Sequence, residues 1–481
     1  MTPPSMTPEP SSNARKNPRP ADIAGRVEIH GIDVIADDER HGRASDLFAV
    51  WAAPNASFLA LVVGSVLILM GLTLWQALAV IVIGNLFSLV MGVVAVTGPA
   101  SGTPSEVVTR AMFGIRGNRV FVAIAGWLVG IAYLALNWAA ASLTAFGLAV
   151  SFGIPVNVPV KVAIIATIAA VTLAISVYGH ATIVRLYMPI TAVLAVAFAV
   201  FAVFVIGRAT WSYQAPQALS GLGLWAALTA GIALIASGPL SYTNSSDFAR
   251  YLPANTSAVS VAVWTALGAA VPSTLLSFLG ALAATAVDMS DPEAGLAALL
   301  PSWFLPVFLV AVIVATIANN ATAAYSSGLA LQAMGVRLSR SRTVLLDGFI
   351  GVALTLYALL ISNFLDSVSN LMQLMLIVTG PAMAIYCSDI VLRRNHYDGV
   401  ELSDETSASR YWYSGGVNWA GVIALFGGAA LALLCVNTPI FTGPVSAALG
   451  HIDLSLPAGM LGAAALYLAA MRRFYPVGLG R

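Results

Sequence analysis

Residues Ile235–Pro253 read IASGPLSYTNSSDFARYLP. The stretch begins inside a long apolar segment, breaks it with Ser237, Gly238 and Pro239, and runs through Tyr242 and Asn244 to Asp247 and Arg250. Pro239 removes a backbone donor and clashes with the preceding turn, and Gly238 costs a helix roughly 1 kcal/mol. In lipid, backbone groups freed this way must find partners, so a broken helix is tolerated only where it is buried or lines a cavity. Secondary transporters place substrate and ions at such breaks, near the bilayer midplane. Two readings follow, a transport site or a proline kink packed against its neighbours, and the rest of the chain decides between them.

Composition sets the solvent. Of 481 residues 59% are hydrophobic and 9% charged, and the mean hydropathy is +0.88. Soluble domains carry about 25% charged residues, so the chain reads as a polytopic membrane protein. A net charge of +1 gives no reason to expect a nucleic-acid partner. Cys387 and Cys435 lie in apolar segments and read as small core residues, without a disulfide framework or metal site. Residues 1–45 have no apolar run and read as a disordered cytoplasmic tail; contact of its charges with headgroups or an inner gate is the alternative.

A spanning helix needs about 20 apolar residues. Twelve such segments occur, at 47–72, 74–97, 119–150, 158–178, 187–208, 222–250, 258–287, 302–334, 342–362, 366–392, 416–438 and 457–474. With the N-terminus inside, the inner loops hold Arg110, Arg116, Arg119, Arg185, Arg250, Arg337, Arg340, Arg342, Arg393, Arg394 and Arg410, and only Lys161 and Arg208 fall outside. The outer loop with Asp288, Asp291 and Glu293 has no Lys or Arg. That bias is what the positive-inside rule predicts for twelve spans in the cell membrane with both termini cytoplasmic.

Span 1 is also interrupted, by Pro54 and Asn55. Five helices separate the breaks in spans 1 and 6, as an inverted five-plus-five repeat predicts. The fold expected is thus all-α, with a ten-helix inverted-repeat transport core over 46–398 and two further helices and the C-terminus over 399–481. The matched breaks favour a transport site over a kink.

Polar residues in other spans are candidates for its walls. Tyr133 and Asn137 of span 3 are spaced i, i+4 and share a face. A ring that stacks beside an amide that hydrogen-bonds suits a flat heteroaromatic ligand; the alternative is packing by Tyr133 and a cross-helix bond from Asn137. Asn319 and Asn320 of span 8 point about 100° apart, so at most one faces a given ligand, and interhelical bonding is the alternative for both. In span 10, Asn363, Asp366, Ser369 and Asn370 make the outer entrance polar, and Asp389 and Arg393 are spaced to pair. Glu106 and Arg110 have the same spacing in a turn-rich connector read as structural, with a gating role as the alternative. Asp247 and Arg250 read as a local ion pair, with a gate or proton relay as the sharper option. No phosphate-binding glycine loop, metal-ligand cluster or nucleophile–base pair stands out, so neither an ATP-driven pump nor an enzyme is expected.

The motifs VWAAPN, GNLFSLVMG, SGTPSEVVTRAMFGIRGN, YLALN, SSDFARYLP, ANNATAAY, NFLDSV and SDIVLRRNHYDG resemble those of the nucleobase–cation symporter 1 family, over about Asp46 to Asp398. The resemblance implies the leucine-transporter fold with twelve helices, and uptake of nucleobases or related rings with sodium or protons and no other cofactor. It places the family's aromatic and amide of helix 3 on Tyr133 and Asn137, and the helix 8 amide pair of the purine–cytosine branch on Asn319 and Asn320. Thr322 replaces a proline frequent there, Val184 a carboxylate of the fungal branch, and Gly238 and Pro239 fall where some members carry a stacking Trp. The helix 8 hydroxyl pair that binds sodium in some members is not matched by Val314, Ala315 and Thr316.

The function expected is therefore cation symport of cytosine or a purine, with Asn55, Tyr133, Asn137, Gly238, Pro239, Asn319 and Asn320 at the substrate and Asp247 and Arg250 as a gate or ion pair. A hydantoin or allantoin-like permease, an amino-acid or osmolyte symporter and a non-transporting membrane sensor are the alternatives.

Overall fold

Backbone groups in hydrocarbon must be satisfied within their own segment, and each of the twelve apolar segments is helical. The computed structural model describes residues 22–361, 364–438 and 440–475, side chains at 293, 360–371 and 373 excepted. Of the polar entrance expected of span 10, Asn363 and the side chains of Asp366, Ser369 and Asn370 lie outside what the structure describes.

In chain order α1 comprises Asp46–Asn55 and Phe58–Leu69, and α2 runs over Leu74–Ser101 with brief irregularities. α3 is Ile115–Ser151, α4 Val158–Tyr178 and α5 His180–Arg208. α6 comprises Gly221–Ser241 and the short piece Ser246–Ala249. α7 is Ala258–Ala284, α8 Leu305–Ala333, α9 Arg340–Ile361 and α10 Phe364–Arg393. α11 is Trp419–Cys435 and α12 Ser455–Phe474. Among the described residues nine of these are long and apolar enough to cross a bilayer alone, or ten when the two pieces of α1 count as one span.

Both expected breaks exist, each slightly past its proline. In α1, Pro54 stays helical and the chain leaves the helix at Ala56, with ψ 49°. Ser57 caps the second piece by accepting from the Ala60 amide at 3.4 Å, and the two pieces bend by 56°. In α6, Pro239 also stays helical, and the break falls at Tyr242–Ser245 rather than at Gly238 and Pro239. Proline deletes one interior hydrogen bond and crowds the turn before it, which weakens the helix without ending it at that residue. The helix ends one turn later, where the Tyr242 amide reaches back only to the Pro239 carbonyl at 3.4 Å.

α1, α2, α6 and α7 pack as one group, and α3, α4, α8 and α9 as another. α5 packs on α1 and α8, and α10 joins α6 to α11 and α12, which pack chiefly on each other. α1 and α7 touch backbone to backbone: a Cβ on Gly64 would overlap the Ser277 carbonyl, and one on Gly280 the Leu61 carbonyl. Overpacking at such a contact costs typically 1–3 kcal/mol. Gly280→Val is therefore expected to lower the melting temperature of the detergent-solubilised protein, whereas a valine at Gly207, where an added Cβ meets nothing within 4 Å, is expected to leave it unchanged.

The stretch read as a solvated tail is, from Asp22 onward, laid across the bundle face formed by the start of α5, the end of α6, the end of α8 and the start of α9. Glu28, His30 and Ile35 are buried. The Glu28 carboxylate accepts from the Tyr325 hydroxyl at 2.9 Å, from the Tyr251 hydroxyl and from the His180 amide at 2.8 Å. Arg250 and Arg340 lie 3.4 and 3.7 Å from its oxygens. Two buried guanidinium groups, Arg250 after α6 and Arg340 at the start of α9, create a site for one carboxylate, and the tail supplies it. We call this end of the molecule the tail face.

Candidate functional site

A cavity of about 110 Å³ lies where α1, α3, α6 and α8 meet, at the breaks. The sequence-expected residues divide there into those that line it and those that do not. Asn55, Tyr133, Asn137, Gly238 and Asn319 line it. Pro239 and Asn320 are buried and do not line it. In the orientation that satisfies its amide, Asn320 accepts from the indole nitrogen and backbone nitrogen of Trp138 at 3.1 Å, which ties α8 to α3.

Each lining group is held by its own element. Asn55 ends the first piece of α1, and its amide nitrogen donates to the Trp51 carbonyl at 2.9 Å. Tyr133 follows a π-helical stretch of α3, Val122–Leu128, an irregularity frequent at functional sites. Its hydroxyl donates to the Ser237 carbonyl of α6 at 3.3 Å and so ties the two walls. One helical turn on, Asn137 is 2% exposed and its amide oxygen has no partner among the described residues. Gly238 faces open space, with nothing within 4 Å of an added Cβ.

Other lining residues carry chemistry the sequence reading missed. Trp51, Glu106, Asn244 and Ser327 each present a buried polar atom without a partner among the described residues. Ser326 lines the cavity too. Buried polar groups are nearly always paired, and such exceptions call for an explanation. With Asn137 that makes five such atoms around one cavity, contributed by α1, the connector, α3, the α6 break and α8. A signal for part of this was present: Asn319, Thr322, Ser326 fall at helical spacing, a polar stripe along one face of α8, and that stripe contains Asn319 but not Asn320. Glu106 carried no such signal, because the connector folds back under the cavity.

At the tail-face end of the cavity the expected local ion pairs are replaced by remote ones. Asp247 does not pair with Arg250. One of its oxygens accepts from the Ser105 amide at 2.9 Å and the other from the Ser326 hydroxyl at 2.6 Å. Arg250 instead donates to the Gly31 carbonyl at 2.7 Å and to the Tyr325 hydroxyl at 3.0 Å, and reaches Glu28. Glu106 does not pair with Arg110, which donates to Glu405 at 2.7 Å. Glu106 faces Asp247, and burial, followed by the Asp247 charge, pushes its carboxyl well above the ordinary range. The Asp389–Arg393 pair expected within α10 is formed, at 2.9 Å.

Away from the cavity, Asp22, His41 and His180 bring ligand-type atoms within 4.8 Å of one another on the tail face. His180 Nδ1 is bonded to Asp22 at 2.7 Å, and His41 Nδ1 to the Glu39 carbonyl at 3.0 Å. Burial opposes the charge on Asp22, but His180 and His41 together hold its carboxyl below the ordinary range.

With this geometry established, comparison with known proteins is informative. The family model described as permease for cytosine/purines, uracil, thiamine, allantoin matches residues 34–459. A Bacillus subtilis (strain 168) protein named as a purine-cytosine permease, YxlA, is 26% identical over 458 residues, which cover 93% of this chain and 96% of that one. Among solved structures, the nucleobase-cation-symport-1 family transporter Mhp1, in a closed conformation with bromovinylhydantoin bound, has a TM-score of 0.73 at 17% identity. That match covers 95% of this chain and 96% of the other. A Na+-coupled sialic acid symporter has a TM-score of 0.55 at 12% identity, covering 87% and 90%. Both share the interrupted-helix fold, and a family model matching nearly the whole chain goes further: this multi-pass membrane protein is a transporter and not an enzyme, and it belongs to the family of permeases for cytosine/purines, uracil, thiamine and allantoin.

Proposed function

We propose that the chain imports a small, flat, nitrogenous ring, cytosine or a purine, by cation symport across the cell membrane, with the tail face cytoplasmic. The observation that carries this reading is the unpartnered, 2%-exposed amide oxygen of Asn137 beside the Tyr133 ring on a cavity at the α1 and α6 breaks. A ring edge with a donor satisfies the amide, and the aromatic face supplies about 0.5–1.5 kcal/mol of stacking. Asn319 and the Trp51 indole are available to the rest of the edge. The clustering of arginines on the tail face supports a cytoplasmic assignment for it.

In this reading the α1, α2, α6, α7 group rocks against the α3, α4, α8, α9 group around the cavity, and Tyr133 is a contact between them. One cation moving down about 100 mV supplies about 2.3 kcal/mol, enough for about fifty-fold accumulation of a neutral solute.

Uptake of labelled cytosine and hypoxanthine into proteoliposomes, under separately imposed sodium and proton gradients, tests the reading. Saturable uptake under one gradient, competed by bases and not by amino acids, is the expected result. Absence of uptake for both bases, with uptake of a hydantoin, would overturn the nucleobase assignment; binding without accumulation would make the protein a sensor.

Gly238 offers a further check of the cavity. Gly238→Val keeps the helix backbone but fills open space, and we expect an intact fold with the KM for a purine raised about tenfold, a cost of about 1.4 kcal/mol, and that for the smaller cytosine raised less. Equal KM values for variant and parent would remove Gly238 from the site.

A further inference from the structure

Beneath the cavity a group of buried charges does not balance. Glu28, Glu106 and Asp247 are three buried carboxyls, and Arg250 and Arg340 are the two buried guanidinium groups among them. Both arginines are turned toward Glu28. Asp247 is already an acceptor on both oxygens, from Ser105 and Ser326. Glu106 directly follows Ser105, whose amide holds Asp247, and so sits beside that carboxylate; it is 5% exposed, lines the cavity, and its Oε2 has no partner among the described residues. Two ionised carboxylates in contact in low dielectric cannot both persist. The neighbours offer no other balance: Tyr325 of α8 and Tyr251 bond to Glu28, Tyr386 of α10 bonds to Thr97 at 3.1 Å, and Asp22 is matched with His180.

Resting on the symport reading above, we propose that the coupling cation is a proton and that the Glu106–Asp247 pair holds it between the connector and α6. Glu106 carries the proton and donates it to Asp247. The group of five charges is then neutral, and the pair closes the tail-face end of the cavity by joining α6 to the connector and, through Ser326, to α8. When the groups rock apart and water reaches the pair, Glu106 loses its proton to water and both carboxylates become solvated. Repulsion between them then opposes reclosure until a proton returns. The same contact thus binds the ion and closes the exit, so substrate and proton leave together.

The test separates the proton site from the substrate. The purified protein, titrated from acid to alkaline pH, is followed by infrared difference spectroscopy for a protonated buried carboxyl. The wild type is expected to show such a band at neutral pH, Glu106→Gln to lose it, and Ser326→Ala, which removes only a hydroxyl bonded to Asp247, to keep it shifted. In proteoliposomes with labelled cytosine, a proton gradient is expected to give about fifty-fold accumulation in the wild type and none above equality in Glu106→Gln. A band that survives in both Glu106→Gln and Asp247→Asn, or wild-type accumulation driven by sodium at equal pH, would overturn the proposal. A band lost in Glu106→Gln alongside a wild type that moves no base would retain the proton site and discard the nucleobase.

Discussion

Replacing Asn137 with alanine is expected to raise the KM for base uptake about thirty-fold, a loss of about 2 kcal/mol. The variant leaves a buried group on the ligand unpaired, which costs about 1–3 kcal/mol. The fold should be untouched, because the Asn137 amide oxygen has no partner to lose among the described residues. The measurement is initial-rate uptake of labelled cytosine against concentration, with thermal unfolding in detergent as the control. A folded Asn137→Ala protein with the parent's KM would sink the placement of the base edge. Asn320→Ala should behave oppositely, because Asn320 contacts Trp138 and not the cavity; its effect should appear in thermal stability.

Glu28→Ala is expected to destabilise the protein by about 3–5 kcal/mol, the usual cost of removing one partner from a buried charge group. Arg250 and Arg340, both 2% exposed or less, would lose their carboxylate, and Tyr251 and Tyr325 their acceptor. Glu28→Gln should cost less, because it retains an acceptor while still losing the charge. Thermal unfolding of the solubilised proteins ranks the three. A Glu28→Ala protein as stable as the parent would mean that the tail segment does not hold the tail-face ends of α6, α8 and α9 together.

How far residue spacing could be trusted depended on whether the helix it assumed was continuous. Asp389 and Arg393 lie within one unbroken helix, and their pair forms as spacing predicts. Glu106 and Arg110 have the same spacing, but Ser105–Val108 is a four-residue helix and the chain is re-nucleated at Arg110–Phe113. Asp247 and Arg250 fail likewise, as Ser246–Ala249 is also four residues long. Their true partners lie far along the chain, 222 residues away for Arg250 and Glu28. No local pattern carries that information. The breaks themselves were legible because proline and asparagine inside apolar segments are exceptional in lipid. Their positions were legible only to a few residues, because a helix survives one missing bond at Pro239 and ends at Tyr242. The cavity face of α8 is readable from its polar stripe; the packing of the tail from Asp22 onward is not, because a short polar segment looks solvated until the charges that receive it are known.

The clasp made by Glu28 has a kinetic meaning. It joins Arg250, which follows α6, to Tyr325 of α8 and Arg340 of α9 through a segment that belongs to neither moving group. If the groups part at this end in each cycle, some of these bonds must be broken and remade every time. Accumulation at equilibrium depends only on the ion gradient and is indifferent to the clasp. Turnover is not indifferent, since each 1.36 kcal/mol in the barrier is a tenfold change in rate. The tail segment is therefore a place where the speed of the cycle can be altered without altering how far it concentrates its cargo.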